Sequence, residues 1–548
     1  MSRTVKAFRT SAQIALIMAV LTLVSKVFGF VREMIMANYY GTSYVADTLN
    51  IASGIPNMIF AGILSATATS FIPVFSKTME GEGERAANLF TSRLLNMLIL
   101  VSVVSSFVGI LFSRQLVTIF TMADAEAFPA SADTMIEKLQ WILTHLSWYL
   151  THGWTGEKAA LAAFYVKVTF SFCLFSTAGG VLESYLKYKN VFIAPILAGY
   201  LINLAAIVFI LFGVRTEDPR LLVFGVFAGN VLRTVILCVL ARRKQFRYTF
   251  DLRMNAAVRQ IFTLAVPVFL GSTAGSINLF VNKSLASGLP TGSVAALGYA
   301  ELLITLISGL TATIIGTILY PKMAQAYSLA NKPRFTELFT SGLTVIIIIG
   351  APFTLGAMLY SETVVQIVYE RGAFDLASTG LTSTAFFCYA PGLIFSMMQG
   401  FLIQAFYSKH NTKTPLITAV IAVAVNVIAN LVLINYLGHG GLALGWSLSA
   451  FSGALLLLAA LRRQSPGLLN LALVKKAAAI CLSAVIAVGA AYPLFFFVGT
   501  FFTDHNWVMP RMVLLGATVL LAAVIYLPLL KAFRIRELSH LRDMFKAP

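Results

Sequence analysis

Apolar windows of about twenty residues, the length a helix needs to cross about 30 Å of hydrocarbon, recur along the whole chain. They constrain its fold more than any other feature. They fall at 12–37, 46–75, 88–113, 160–186, 191–213 and 220–241, then at 260–285, 294–320, 336–360, 378–407, 414–436 and 440–461, and finally at 474–499 and 508–531. Inside a bilayer the backbone N–H and C=O groups have no water to bond, so each window reads as a helix. Fourteen windows predict an all-α polytopic membrane protein of fourteen transmembrane helices. The composition agrees, with 58% hydrophobic and 11% charged residues among 548, against roughly 25% charged in soluble domains. The first window runs on without a small-residue cleavage motif and reads as a span, not as a signal peptide.

The net charge of +18 does not imply nucleic acid, because that reading needs basic residues clustered on a soluble module and the sequence has none. Lysines and arginines instead report orientation, since cytoplasmic loops carry the excess. Of the 40, 27 fall on the side shared by both termini, 7 on the other side and 6 within spans. Both termini are therefore expected in the cytoplasm. The largest basic group, RRKQFR at 242–247 with Arg253 and Arg259, lies between the sixth and seventh windows, where it sets topology and can touch anionic headgroups. Cys173, Cys238, Cys388 and Cys481 stand far apart in apolar runs, and none of the six histidines belongs to an HExxH motif. No metal or cofactor is expected.

The chain repeats itself. FIPVFSKTMEGEGERAANLFTS at 71–92 and LYPKMAQAYSLANKPRFTELFTS at 319–341 both end an apolar window on proline, pass through a short charged loop with an arginine and close on LFTS. YLKYKNVFIAP at 185–195 and YSKHNTKTP at 407–415 form a second pair. Six is an even number, so two six-helix copies share one orientation and are related by an axis along the membrane normal, where transporters place their substrate site. The expected architecture is two pseudo-symmetric six-helix lobes, 1–245 and 246–465, followed by a helix pair and a basic tail at 466–548. Residues 122–158 interrupt the first copy. Within them Ser131 and Asp133 suit a helix start, and Ile136, Leu139, Leu143, Leu146 and Leu150 follow at helical spacing beside Trp141 and Trp148, with Trp154 just after. This insertion is expected to lie in the extracytoplasmic interface.

The end of the first span and the entry to the second hold an anomaly, KVFGFVREMIMANYYGTSYVAD at 26–47, which carries Lys26, Arg32, Glu33 and Asp47. An ionisable group at mid-membrane costs about 2.5–3.5 kcal/mol on insertion scales, so these groups need partners or a wet cavity. Lys26 and Arg32 lie about 120° apart around a helix, with Gly29 between them. One turn can present both to a broad cavity that attracts an anion, with Asp47 placed to hold a cation when no anion is bound.

The same residues carry a resemblance. SKVFGFVREMIMANYYGTSYVADT at 25–48, IPNMIFAGILSATATSFIPVFSK at 55–77, VYERGAFD at 368–375, AFYSKHNTKTP at 405–415 and GHGGLALGWSLSA at 438–450 resemble the MurJ (MviN) family of the multidrug/oligosaccharidyl-lipid/polysaccharide flippase superfamily. The resemblance implies a flippase that moves lipid II, the undecaprenyl-pyrophosphate-linked precursor of peptidoglycan, to the outer leaflet of the bacterial cytoplasmic membrane. It further implies alternating access around a central cationic cavity, a groove for the lipid tail on the last helix pair, a monomer, and coupling to membrane potential or an ion gradient. The family's basic positions match Lys26 and Arg32, its acidic position in the second helix matches Asp47, and a small cavity-side residue matches Ala37. Asn57 belongs to the family's Pro-Asn of helix two.

This chain also departs from the family pattern. After Pro56 it reads PNMIFAGIL with no arginine pair, and YAELL places Glu301 where an arginine of helix eight is usual. Lys283 is expected to be a snorkelling interfacial lysine, with partial replacement of those arginines as the alternative. Where some members bind sodium, the nearest positions are Asn282, Asn426 and Asn430, which offer carbonyl oxygen without charge. Interhelical hydrogen bonding is the expected role of Asn426 and Asn430. Gly29, Gly41, Gly179, Gly180 and Gly400, with Pro267, Pro352 and Pro391, are candidate bends or close-packing points. The alternative readings are a flippase for another lipid-linked oligosaccharide and, less well supported, a drug or ion antiporter, which Lys26 and Arg32 disfavour by repelling cations. An enzyme is not expected, because Glu362, Glu370 and Asp375 are isolated in one loop.

Overall fold

The computed structural model describes residues 2–121, 153–315, 319–465, 467–468, 471–499 and 508–535. Most of the insertion, residues 122–152 with Trp141 and Trp148, lies outside them. The described residues fold as helices joined by short turns, and ten of those helices are long and apolar enough to cross a membrane. The chain packs as two compact units, Met1–Ala295 and Ala296–Pro548.

The first unit holds α1 (Ser2–Tyr40), α2 (Tyr44–Leu111), α3 (Ser113–Phe120), α4 (Gly156–Tyr188), α5 (Ile193–Thr216), a 3-10 turn (Pro219–Leu221), α6 (Leu222–Arg243), α7 (Ala256–Ala286) and the start of α8 (Ser293–Ile314). Helix α2 is 68 residues long; run straight it would extend about 100 Å, roughly three bilayer cores. It is broken at Gly83, whose φ of 84° and ψ of 179° are non-helical. The expected loop between the second and third windows is thus helical up to one glycine. A Cβ at Gly83 would meet nothing within 4 Å, so the glycine is required by backbone conformation and not by space.

Around that bend Phe71, Phe75 and Phe90 of α2 pack with Tyr185 and Leu186 of α4, Phe246 after α6, and Val258 and Ile261 of α7. Phe71 stacks on Phe75 at 5.3 Å, and Phe75 meets Tyr188 edge-on at 4.5 Å. Elsewhere association depends on close approach, because lipid is as apolar as leucine. Gly225 and Gly229 of α6 are four residues apart, and a Cβ on either would fall 2.7 Å from Ala206 Cα or 2.5 Å from Ile202 Cα of α5. This small-xxx-small face went unnoticed in the sequence. Val208 and Phe212 on α5 and Val235 and Val239 on α6 stay exposed, as lipid-facing residues should.

The second unit continues α8 and adds α9 (Tyr320–Ser328), α10 (Lys332–Leu359), α11 (Ser361–Tyr369), α12 (Leu376–Ser408), α13 (Lys413–Leu437), α14 (His439–Gln464), α15 (Leu471–Gly499) and α16 (Val508–Ala532). Proline inside a membrane helix frees backbone groups that a neighbouring helix must satisfy. Beside Pro391 the Gly392 N–H donates to Ser447 Oγ of α14 at 3.0 Å, and that hydroxyl donates to the Cys388 carbonyl at 2.8 Å. Tyr526 of α16 donates to the Ile348 carbonyl of α10 at 2.9 Å.

The repeated sequence has a repeated backbone. Helix α4 ends at Tyr188 and α12 at Ser408, each followed by a left-handed residue, Asn190 at φ 59° and His410 at φ 58°. In each case the next N–H reaches back five residues, from Val191 to Leu186 at 2.9 Å and from Asn411 to Phe406 at 3.0 Å. This is the Schellman closure that satisfies terminal carbonyls.

Candidate functional site

Helix α1 brings Lys26, Arg32 and Glu33 to a part-buried stretch just before Ala37, which is fully buried. Arg32 pairs with the adjacent Glu33, and its Nε lies 3.2 Å from Glu33 Oε1. Its Nη1 donates to Asn203 Oδ1 on α5 at 3.3 Å. The Arg32 and Glu33 side chains keep 29% and 28% exposure, so the pair is neither fully solvated nor sealed. Lys26 forms no ion pair among the described residues.

Asp47 does not hold either cation of α1, contrary to the sequence expectation. It is 1% exposed and accepts the Gly292 N–H at 2.7 Å and the Ala295 N–H at 2.8 Å. Gly292 immediately precedes α8 and Ala295 lies in its first turn, where N–H groups have no intrahelical partners, so Asp47 caps α8 from another helix. Lys158 Nζ of α4 lies 4.0 Å from the same carboxylate. The physical reason is packing: in this unit α1 lies chiefly against α5, where Tyr200 donates to the Leu21 carbonyl at 2.6 Å and its ring meets Phe28 at 5.4 Å. The partners of Arg32 are therefore found on α5 and not on α2.

Lys158 stacks over the Trp154 ring at 4.1 Å. Trp154 is 5% exposed; it donates its indole N–H to the Ser287 carbonyl at 2.9 Å, and its backbone N–H goes to Thr121 Oγ1 at 3.0 Å. The interfacial position expected for Trp154 is replaced by burial against the end of α7. Lys283 of α7 reaches Asn50 Oδ1 of α2 at 3.5 Å, a partly buried contact instead of a snorkelling one. Asn57 is exposed on α2.

Glu301 lies in the second unit, partly buried on α8. In the same unit Asn430 donates to Asn426 Oδ1 at 3.0 Å, with both residues fully buried on α13, a bond within one helix where an interhelical one was expected. Asn282 of α7 is buried in the first unit.

The structure thus joins Arg32 with Glu33 on α1, and Asp47 with the start of α8, as two separate clusters. Sequence reasoning missed Asn203, Asn50 and Lys158. Asn203 carried a legible signal, a lone amide in the apolar run 191–213. Lys158 did not, since nothing local links it to Asp47.

A family model described as "Lipid II flippase MurJ" matches residues 36–518, beginning just after Lys26 and Arg32. A protein of Vibrio cholerae named "Probable lipid II flippase MurJ" is 26% identical over 542 residues, covering 95% of this chain and 96% of that protein. The "Lipid II flippase MurJ" of Burkholderia cenocepacia is 25% identical over 469 residues, covering 82% and 84%. Among solved structures, "Lipid II flippase MurJ, inward closed conformation" superposes with a TM-score of 0.76 at 20% identity over 94% of this chain and 98% of that one. An inward-facing multidrug resistance MATE family transporter of the MOP superfamily matches at a TM-score of 0.63 and 12% identity, covering 81% and 95%. These structural likenesses establish the fold.

Proposed function

The chain belongs to the lipid II flippase MurJ family, and from that membership we propose that it carries lipid II from the cytoplasmic to the outer leaflet of a bacterial cytoplasmic membrane. The observation that carries this reading is the length of the match, 36–518 of 548 residues. The family is one of transporters, and the proposed work is translocation without bond-making.

In the proposed cycle fourteen spans, with both termini cytoplasmic, form two six-helix lobes that alternate access to a central cationic cavity. Lys26 and Arg32 draw in the pyrophosphate, because cations sheltered from bulk water attract an anion more strongly than surface cations do. Lys26 is unpaired among the described residues, and Arg32 is shared between one carboxylate and one amide, which a pyrophosphate can outbid with charge-assisted bonds worth about 1.5–3 kcal/mol each. The last helix pair takes the lipid tail, and membrane potential or an ion gradient drives the return.

Complementation tests this. A bacterium depleted of its resident lipid II flippase grows when this chain is expressed. Lys26→Ala or Arg32→Ala lowers lipid II affinity about tenfold or more at unchanged protein level, and the double variant fails to rescue. Full rescue by the double variant removes the cationic site. A chain that fails to rescue, yet moves a different undecaprenyl-pyrophosphate oligosaccharide in proteoliposomes, belongs to the alternative that the missing arginines after Pro56 favour.

A further inference from the structure

The first unit contains a cavity of about 900 Å³ that neither α1 nor Asp47 lines. It sits where the end of α2, the first turn of α3, one face of α4 and the 3-10 turn before α6 meet. Three cations from three elements point to it: Arg114 of α3, Lys167 of α4 and Arg220 of the turn. None forms an ion pair among the described residues. Two carboxylates share the lining, Glu157 and Asp218, but Asp218 already accepts the backbone N–H of Arg220 at 3.0 Å. Glu157 and Lys167 lie on one face of α4 about 15 Å apart along its axis, too far to neutralise each other.

Ile110, Leu111 and Phe164 supply an apolar wall, and Ile110 and Leu111 are exposed at 42% and 59%. The cavity therefore joins a cationic rim to a surface suited to hydrocarbon. Its depth in the membrane follows from α6, which leads from Arg220 to Arg242 and Arg243. Its 22 residues span about 33 Å, one bilayer core, so the cavity lies near the interface opposite the main basic cluster. Lys167, well inside α4 and exposed, has no carboxylate partner among the described residues; such a cation is costly in hydrocarbon and is satisfied by an anion that comes with its own acyl chains.

We propose that this cavity is a site for a phosphate group carried by an anionic membrane phospholipid, with Arg114 and Arg220 gripping the phosphate oxygens, Lys167 neutralising from below, and Ile110, Leu111 and Phe164 holding the proximal acyl chains. Guanidinium groups suit this task because their planar fork engages two phosphate oxygens at once, and basic pockets between membrane helices bind lipid headgroups in general. The site is distinct from Lys26 and Arg32, and its occupant stays while transport substrate passes.

The test uses the purified full chain, stripped of lipid and titrated with phosphatidylglycerol, with phosphatidylcholine and with inorganic phosphate, and read by native mass spectrometry. Phosphatidylglycerol is expected to bind about tenfold or more tightly than phosphatidylcholine, and Arg114→Gln with Arg220→Gln to erase that preference. Arg242→Gln with Arg243→Gln is expected to leave it unchanged. Should the Arg114/Arg220 variant aggregate, Lys167→Gln replaces it, and Lys167→Arg restores binding. Equal retention of both lipids by the unaltered chain, or an unchanged preference in Lys167→Gln, overturns the site. Displacement of the lipid by millimolar inorganic phosphate assigns the cavity to free phosphate and overturns the lipid part.

Discussion

Asp47 illustrates how far a residue's role depends on what folds against it. A carboxylate in the first turn of the second span, close in sequence to Lys26 and Arg32, invites an ion pair. Instead it satisfies two N–H groups at the start of α8. Two charge-assisted bonds to otherwise orphaned donors explain why a buried carboxylate is tolerated there. Asp47→Ala is accordingly expected to destabilise the purified protein by about 1–2 kcal/mol, measured by thermal unfolding in detergent, while Asn57→Ala, at an exposed position on the same helix, is neutral within error. If Asp47→Ala unfolds at the unaltered temperature, the cap is not a stabilising contact.

At the scale of elements, the bend in α2 and the segment between α6 and α7 are where local chemistry sets geometry. Gly83 occupies a conformation that L residues reach only at a cost of about 1–3 kcal/mol. Because nothing lies within 4 Å of its missing Cβ, Gly83→Ala should lower stability by that backbone cost alone, with no compensating or added clash. The segment after α6 is strapped along α2: Asn88 donates to the Gln245 carbonyl at 3.2 Å, Asn96 to the carbonyls of Thr249 and Asp251 at 3.2 and 3.1 Å, and Arg93 to Asp251 at 2.8 Å. The Arg253 backbone N–H, and then Arg93, hold the Asp251 carboxyl below the usual carboxylate range. A depressed folded value means that the contribution is complete above the ordinary carboxylate value near 4 and is lost only as pH falls through the folded one. Hydrogen exchange of residues 244–255, corrected for intrinsic rate, is therefore expected to stay flat from about pH 8 to 5 and to rise below about 4. Asp251→Asn should raise it across that flat range and leave it little changed once the carboxyl is protonated; protection that already fades near neutrality contradicts the assignment.

For the whole molecule the testable quantity is sidedness. The excess of basic residues on one set of loops predicts that a cysteine at Gln245, placed in a chain lacking the four native cysteines, reacts with a membrane-impermeant thiol reagent only after cells are opened. A cysteine at Glu217, exposed at the opposite end of α6, is expected to react in intact cells. The reverse pattern would invert the proposed direction of transport and place the phosphate cavity on the cytoplasmic face.

The periodicity of apolar windows, the two repeated motifs and the cations placed within the first span were all legible in the sequence, because helix length, turn chemistry and the cost of charge in hydrocarbon are local properties. The Schellman closures at Asn190 and His410 were not, since Tyr185 stands five residues before the one and Tyr407 three before the other. What the sequence could not specify was which surfaces meet. That Arg32 finds Asn203, that Asp47 caps α8, that Trp154 lies buried, and that Arg114, Lys167 and Arg220 converge on one cavity all depend on contacts between residues tens to hundreds of positions apart. Those contacts are selected by the close approach of helix backbones at sites such as Gly225 and Gly229, where shape complementarity and not hydropathy chooses the neighbour. In a chain this apolar, hydrophobicity calls every helix into the membrane but leaves their pairing to packing.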